Sequence, residues 1–547
     1  MSRGQRSAAS RGTRRAPRGP TGPHVAERPP AVAPIPARGF ARKLLADTGQ
    51  ATFGRVLSLG VWTLLVPQLL RGLGAEGFAL WSLFFALTGY LSALDLGFSQ
   101  GTLRHVAAAR ARGDGNEAGE FALVGLLGYL MLGAAWLALA PLLREPVLDL
   151  LRIAAPHRAE AGAAFMLGPL AFAFAGTAMV TTTSLQGWGR FDLANGVTFS
   201  SVLVQAGGAL WALERGWGLL GVIRFAVLGA MVATLIGFAL LRLGAHGFRW
   251  GTPARAVHRV REAMAFGGPL QLANILGVAH QQLDTLLLSR YVGLALVAPY
   301  ELGLRSSTVL GSMPQQMLLA LIPAASALHA TGDAAGLRSA YDRAARWVMA
   351  ITAGVAAGLL AGTPRLLAAW LGSPPAGAEL CLIGLTLAMV VAMTTGTATA
   401  IARAIGRTRY EAEYSGVGLC VHIVLGLWLV PRFGLQGALV STLIANLLAS
   451  AWFLIRFGRV TGWGIASVFV RPTLEPLAVL ALVSVLGRQL AIRLPVGAGL
   501  AGWGWALIAG AVPALGVLAL LFVTGFLPYS ELRALLRRAP VAPTSEA

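Results

Sequence analysis

Fourteen stretches of this chain are apolar for long enough to cross a lipid bilayer. They fall near 51–70, 78–98, 121–142, 162–184, 196–213, 217–241, 265–289, 294–324, 347–371, 379–402, 414–431, 433–455, 474–492 and 500–527. A helix crosses the hydrocarbon core in about 20 residues, at about 1.5 Å per residue. Lipid offers backbone N–H and C=O groups no partners, so only helices and closed barrels can span it. Barrel strands alternate apolar and polar residues over segments of about 10, whereas these runs are longer and continuous. The expected fold class is all-α: a polytopic membrane protein of about 14 transmembrane helices. Composition agrees, since 12% of residues are charged against about 25% in a soluble domain.

The charge is one-sided in kind and in place. Lys and Arg total 44, of which only Lys43 is lysine, and the net charge is +21. Such a balance can signal nucleic acid, but its distribution argues for lipid. With the N-terminus inside, 31 Lys/Arg lie on the inner side, 10 in or beside the outer loops, and Arg55, Arg224 and Arg305 within spans. By the positive-inside rule both termini are expected in the cytoplasm. No nucleic-acid partner is expected. The arginine-, alanine- and glycine-rich composition points to a GC-rich bacterial genome. Residues 1–50 hold ten Lys/Arg and no apolar core, so they read as a disordered basic cytoplasmic tail. Its charge suits anionic headgroups; the bland reading, which its composition favours, is an unselected extension or an early start codon. Cys381 and Cys420 sit in apolar runs without a CxxC or HExxH pattern, so neither a metal site nor a cofactor is expected. Gly216-Trp217-Gly218-Leu219-Leu220-Gly221 matches GxGxxG, but it lies between two spans with no preceding strand.

The chain also repeats itself. A shift of 219 residues lays Arg71 on Arg290, Gly74 on Gly293, Trp81 on Tyr300 and Gly113-Asp114 on Gly332-Asp333. It also lays Gly187 on Gly406 and Arg190 on Arg409, and after a three-residue slip Gly218 and Gly221 meet Gly434 and Gly437. An ordered series of this kind indicates duplication, and repeats mark transporter folds. Six spans per copy makes the copies parallel. The expected division is a tail at 1–50, a six-helix lobe at 51–243, a cytoplasmic linker at 244–264 and a second lobe at 265–457. Two additional transmembrane helices follow at 458–530, and a cytoplasmic tail at 531–547.

The run Leu73-Gly74-Ala75-Glu76-Gly77-Phe78-Ala79-Leu80-Trp81, followed by Leu94-Asp95-Leu96-Gly97-Phe98, resembles the start of bacterial polysaccharide exporters and oligosaccharide-lipid flippases. Leu185-Gln186-Gly187-Trp188-Gly189-Arg190-Phe191 is similar as well, as is the stretch from Asp284 through Arg290, Gly293, Tyr300 and Arg305. The superfamily includes multidrug and toxin extrusion proteins and the lipid II flippase. The resemblance covers residues 50–535. It implies two six-helix lobes around a cavity, alternating access without covalent chemistry, and an undecaprenyl-diphosphate-linked oligosaccharide as substrate. Membrane lipids, a polysaccharide polymerase and glycosyltransferases are the further partners it suggests. The lipid II flippase, a multidrug or cation antiporter and a membrane scaffold for envelope glycan synthesis are the alternatives.

Ionisable side chains within spans are few, and each costs about 2.5–3.5 kcal/mol on insertion scales. Arg55 and Asp95 lie at similar depth and pair as an inner gate, or else Arg55 snorkels to the interface while Asp95 caps nearby donors. Arg224, His280, Asp284, Glu301 and Arg305 cluster toward the other side. Arg305 and Arg224 suit an anionic headgroup, while Asp284 or Glu301 exchanges protons or sodium, with Asp284 within reach of Arg305. The bland reading is a structural pin in which Glu301 neutralises Arg305 four residues on. Gln271, Asn274, Gln281, Gln282 and Thr285 share one face of a helix; the amides suit sugar hydroxyls or bond a neighbouring helix. The expected substrate-binding set is Arg55, Arg224, Arg305, Gln271, Asn274 and Gln281. The ion-coupling or gating set is Asp95, His280, Asp284 and Glu301. These charges are not duplicated: Leu65 stands opposite Asp284 and Ala86 opposite Arg305 in the repeat.

Overall fold

The computed structural model describes the backbone of residues 37–93, 98–407, 409–495, 499–531 and 533; within these helices the side chains at 37–59, 90–93, 100, 263–271, 273, 309, 320, 499 and 500 are not described. The chain divides into a segment ending at Gly49, of which the described residues are helical, and a compact unit from Gln50 to Ala547, which holds the helical bundle.

Among the described residues fourteen α-helical elements follow one another: α1 (Ala37–Ala93), α2 (Phe98–Ala111), α3 (Gly115–Leu150), α4 (Ala155–Gly187), α5 (Phe191–Glu214), α6 (Gly218–Gly244), α7 (Pro253–Tyr291), α8 (Val297–Ala330), α9 (Ala334–Leu371), α10 (Ala378–Met393), α11 (Gly396–Ala404), α12 (Arg409–Thr461), α13 (Arg471–Arg493) and α14 (Gly499–Val523). They are not the fourteen windows one for one. The windows at 51–70 and 78–98 share α1, which turns at Gly74 (φ 70°, ψ 177°), and those at 414–431 and 433–455 share α12, which turns at Gly434 (φ 56°, ψ −129°). The window at 379–402 is divided between α10 and α11. Pro314 and Pro323 lie inside α8, which runs on through both. Among the described residues, ten helical segments are long and apolar enough to cross a membrane.

The duplicated glycines have duplicated backbones. Gly74 and Gly293 both combine a positive φ with an extended ψ (70°, 177° and 120°, 163°), a region open to glycine alone. Gly113 and Gly332 have φ of 74° and 72°, and the aspartate after each caps the next helix: Asp114 accepts from the amides of Asn116 and Glu117, and Asp333 from that of Gly336. Each cap contributes about 1 kcal/mol. Gly218 and Gly434 match at 57° and 56°. The gapless match of Gly187 to Gly406 is corrected. Gly187 closes α4 in the helical conformation, and the left-handed residue of that turn is Gly189 (φ 75°), the counterpart of Gly406 (φ 74°). The register has therefore slipped by two residues before this turn, which also places Arg190 opposite Arg407 rather than Arg409.

The turns at 112–114, 188–190, 245–252, 331–333 and 405–407 form the arginine-rich end of the bundle; those at 151–154, 215–217, 292–296 and 372–377 lie at the opposite end. At that opposite end one apolar core joins both halves. Leu65, Phe78, Trp81, Leu148 and Leu219 pack with Leu288, Val297, Leu371, Cys381 and Val430. The Ser289 hydroxyl seals the seam on the Leu151 carbonyl (3.1 Å), and the Trp370 indole on that of Thr63 (2.6 Å). Of the other cores among the described residues, one lies in the first half with Ala256 of the linker, and two join the second half to the stretch after it, through Val468 in one and Val479, Leu480, Val517 and Leu521 in the other. The linker docks on the first half through Arg259, which meets Glu120 and Glu262 (3.2 Å each) and covers the Phe121 ring. Helices α13 and α14 pack on α9, where a Cβ on Gly358 would stand 2.7 Å from the Gly510 carbonyl.

Candidate functional site

Small residues let α12 approach α7 closely enough to bury charge between them. Gly418, His422 and Gly426 recur at four-residue steps and so share a face. A Cβ on Gly426 would come within 2.6 Å of the Leu287 side chain, and one on Gly418 within 3.9 Å of the His280 ring. The turn at Gly434 then folds the second stretch of α12 back, bringing Thr442 within 3.3 Å of the His422 ring. Asp284 of α7 lies at the centre, 1% exposed, and His422 is fully buried. Nε2 of His422 meets Oδ1 of Asp284 at 3.0 Å. The other carboxylate oxygen accepts from the Tyr300 hydroxyl (2.5 Å) of α8 and from the Thr442 hydroxyl. Nδ1 of His422 contacts Nδ1 of His280 at 3.2 Å. With three donors on one carboxylate, Asp284 meets the requirement that a buried polar group be hydrogen-bonded.

A second polar group stands one residue along. Thr285 donates to Glu301 (2.8 Å), whose carboxylate is 3.8 Å from Nε of Arg305. The Arg305 guanidinium lies 4.7 Å from the centre of the Trp81 ring, which belongs to the first half. The repeat pair Trp81 and Tyr300 thus receives one polar contact each: an arginine over the indole face and an aspartate on the phenol hydroxyl.

The His280 ring faces a cavity of about 580 Å³ inside the second half. Gln281, Tyr300, Thr442 and Asn446 line its inner end, and Arg403, Glu411 and Tyr414 lie where it reaches the arginine-rich end. Arg403 and Glu411 form an ion pair there, so the mouth carries no net charge. A smaller cavity of about 380 Å³ lies between α1, α8, α9 and α14; Arg305 is its charged lining residue, beside Trp62, Trp370 and Trp503. The polar cavity that His280 faces is therefore lined by one half, whereas the smaller one lies where α1 meets the second half.

The predicted residues fall into three groups. His280, Asp284, Glu301 and Arg305 come together, and Gln281 lines the adjoining cavity. Arg224 and Asn274 are not brought to the cavity: both are exposed, Arg224 in the second turn of α6. Asp95 and the side chains of Arg55 and Gln271 lie outside the described residues. The expected Asp284–Arg305 pairing is corrected, because Asp284 turns toward α12 and Glu301 takes the arginine. Three partners were not foreseen. His422 lies within the apolar window at 414–431, so the criterion that selected His280 selects it too. The Tyr300 and Thr442 hydroxyls carry no such signal, since neither residue type is unusual in a membrane helix.

The polysaccharide biosynthesis protein family matches residues 44–329, just over half of the chain. No curated protein matches the sequence. Among solved structures, the chain is similar to the lipid II flippase MurJ in an inward closed conformation, at 13% identity over 88% of this chain and 99% of that one, with a TM-score of 0.65. It is similar to an inward-facing multidrug resistance MATE family transporter of the MOP superfamily at 17% identity, over 74% and 96% of the two chains, with a TM-score of 0.61. A MOP superfamily transporter from Pyrococcus furiosus, described as having a binding pocket of reverse polarity, shares 17% identity over 77% and 96%, with a TM-score of 0.57. At these identities the likeness is one of fold. The chain is a multi-pass membrane protein with the MOP-superfamily helical fold, and it belongs to the polysaccharide biosynthesis protein family.

Proposed function

We propose that the chain is a secondary transporter that flips an undecaprenyl-diphosphate-linked oligosaccharide, a precursor of polysaccharide or lipopolysaccharide, across the bacterial inner membrane. One observation carries the reading. The two halves share an apolar core at one end, while the polar cavity reaches the other, arginine-rich end. Closure at one end with a polar cavity toward the other supports reading the molecule as one state of an alternating-access cycle. By the positive-inside rule the arginine-rich end faces the cytoplasm, where such a precursor is made. Gln281 and Asn446 offer amides that both donate and accept toward sugar hydroxyls, and Arg305 offers a cation for the diphosphate at the side cavity. The Asp284 group serves as the ion-coupling element. A cation exporter fits less well, because the cavity mouth is balanced by Arg403 and Glu411.

The test is a strain lacking this chain, with lipid-linked glycan assayed by leaflet. Accumulation on the cytoplasmic leaflet is expected, relieved by the wild-type chain and not by Arg305→Ala. Glycan reaching the outer leaflet at the normal rate in the deletion strain rejects the proposal.

A further inference from the structure

We infer that the coupling ion is a proton, that His422 carries it, and that His280 loads it from the cavity. This deepens the transport reading and rests on it. With Asp284 ionised, one ordering of the protons satisfies these contacts. His422 donates from Nε2 to Asp284, so in its neutral form Nδ1 is an acceptor. His280, 3.2 Å away, must then present Nδ1–H to it. The two rings and the carboxylate form one directed chain: His280 Nδ1–H to His422 Nδ1, and His422 Nε2–H to Asp284 Oδ1.

That chain accepts one proton with both imidazole rings in place. A proton from cavity water binds His280 at Nε2. The proton on His280 Nδ1 crosses to His422 Nδ1. His280 is left neutral as its Nε2–H tautomer, and its freed Nδ1 now accepts from His422. Charge balances: the incoming positive charge ends on the His422 imidazolium, paired with ionised Asp284. Asn446, which also lines the cavity, bonds the His280 ring, and an amide serves it in either tautomer. His422 itself has no solvent exposure and does not line the cavity, so His280 is its route to water.

The groups around the pair favour a proton over a metal cation. Among the described residues Asp284 is the carboxylate that touches the dyad, and its oxygens already accept from His422, Tyr300 and Thr442. A hard cation needs about six oxygen ligands. On α8, Glu301 and Arg305 form their own pair; on α10, Cys381 is the neighbouring thiol; at the cavity mouth, Arg403 and Glu411 offset each other. With both histidines neutral, Asp284 leaves one uncompensated buried negative charge; loading His422 cancels it. The Asp284–Tyr300 bond adjoins the Glu301–Arg305–Trp81 contact that links the halves, so the charge of His422 is read where the halves meet.

The experiment uses the full chain in lipid nanodiscs with 15N-labelled histidine, titrated by NMR between about pH 9 and about pH 4, the range that brackets histidine. His422→Gln and His280→Gln assign the signals. Uptake of about one proton shared by the two rings is expected, with its midpoint moved when either is replaced. A His422 signal that stays neutral throughout, or titrates unchanged in His280→Gln, overturns the inference. If His422→Gln fails to fold, the half-buried His280→Gln still decides the matter. In proteoliposomes, collapsing the proton gradient should slow glycan flipping about tenfold or more, and removing sodium should not. Flipping that follows sodium overturns the proton inference and leaves transport standing. No flipping under either gradient overturns the transport reading, while the titration still judges the proton site.

Discussion

Asp284 draws its neighbours from three stretches of chain far apart in sequence, and each partner can be removed singly. Tyr300→Phe deletes one hydrogen bond to a charged group and should cost about 1.5–3 kcal/mol, read as a lower melting temperature in detergent. Asp284→Ala leaves buried donors facing no acceptor and should cost about 3–5 kcal/mol; a melting temperature equal to wild type would show that the carboxylate holds nothing. Outside the spans, His105 stacks on Phe121, and burial pulls its imidazole below the ordinary histidine value. The sign follows: a depressed folded value means stability is intact above about pH 6.5 and is lost as the pH falls toward the folded value. Thermal melts in that window should drop for wild type and stay flatter for His105→Phe. The acid and one histidine of the site were legible because charge within an apolar run is costly and therefore conspicuous. Which partners met them was not, since that depends on the azimuth of α7 against α12.

At the scale of elements, the glycines separate two kinds of constraint. Gly74 has open space around its α-carbon but a backbone reserved for glycine, so Gly74→Ala should cost about 1–3 kcal/mol by strain alone. Gly303 is helical, and a Cβ there would stand 2.7 Å from the Cys381 backbone. Gly303→Ala should cost about 1–3 kcal/mol through overpacking of α8 on α10. Replacing Cys381 with a smaller residue should relieve little of it, because the obstacle is main chain. Urea or thermal unfolding of the two variants in detergent distinguishes them. The duplicated turns were visible in the sequence because turn geometry is local. The two-residue slip before Gly189 was not, because one glycine reads like another until its φ is known.

For the whole molecule, the joined end is the part that must open if the halves alternate. A Leu151→Cys, Ser289→Cys pair, placed where the Ser289 hydroxyl meets the Leu151 carbonyl, should cross-link the halves under oxidation. With Cys420, the exposed native thiol, replaced by serine, flipping should stop on oxidation and return on reduction. Undiminished flipping by the cross-linked protein would mean that this end never opens. The cavity lies within the second half, which agrees with the uneven charges of the repeat: Leu65 packs into the shared core, where its counterpart Asp284 heads a polar cluster.

The sequence by itself determined that the chain is helical and membrane-spanning, that its scaffold is duplicated, and that its charges are not. Each of these follows from short-range physics: the length of an apolar run, the conformational needs of a turn, the cost of a lone charge in lipid. Tertiary structure alone decided that Asp284 meets His422 rather than Arg305, that Arg224 stands apart, and that the cavity beside His280 lies inside one half. Helix rotation and lobe position set those outcomes, and both depend on close packing summed over many weak contacts rather than on any single residue's preference.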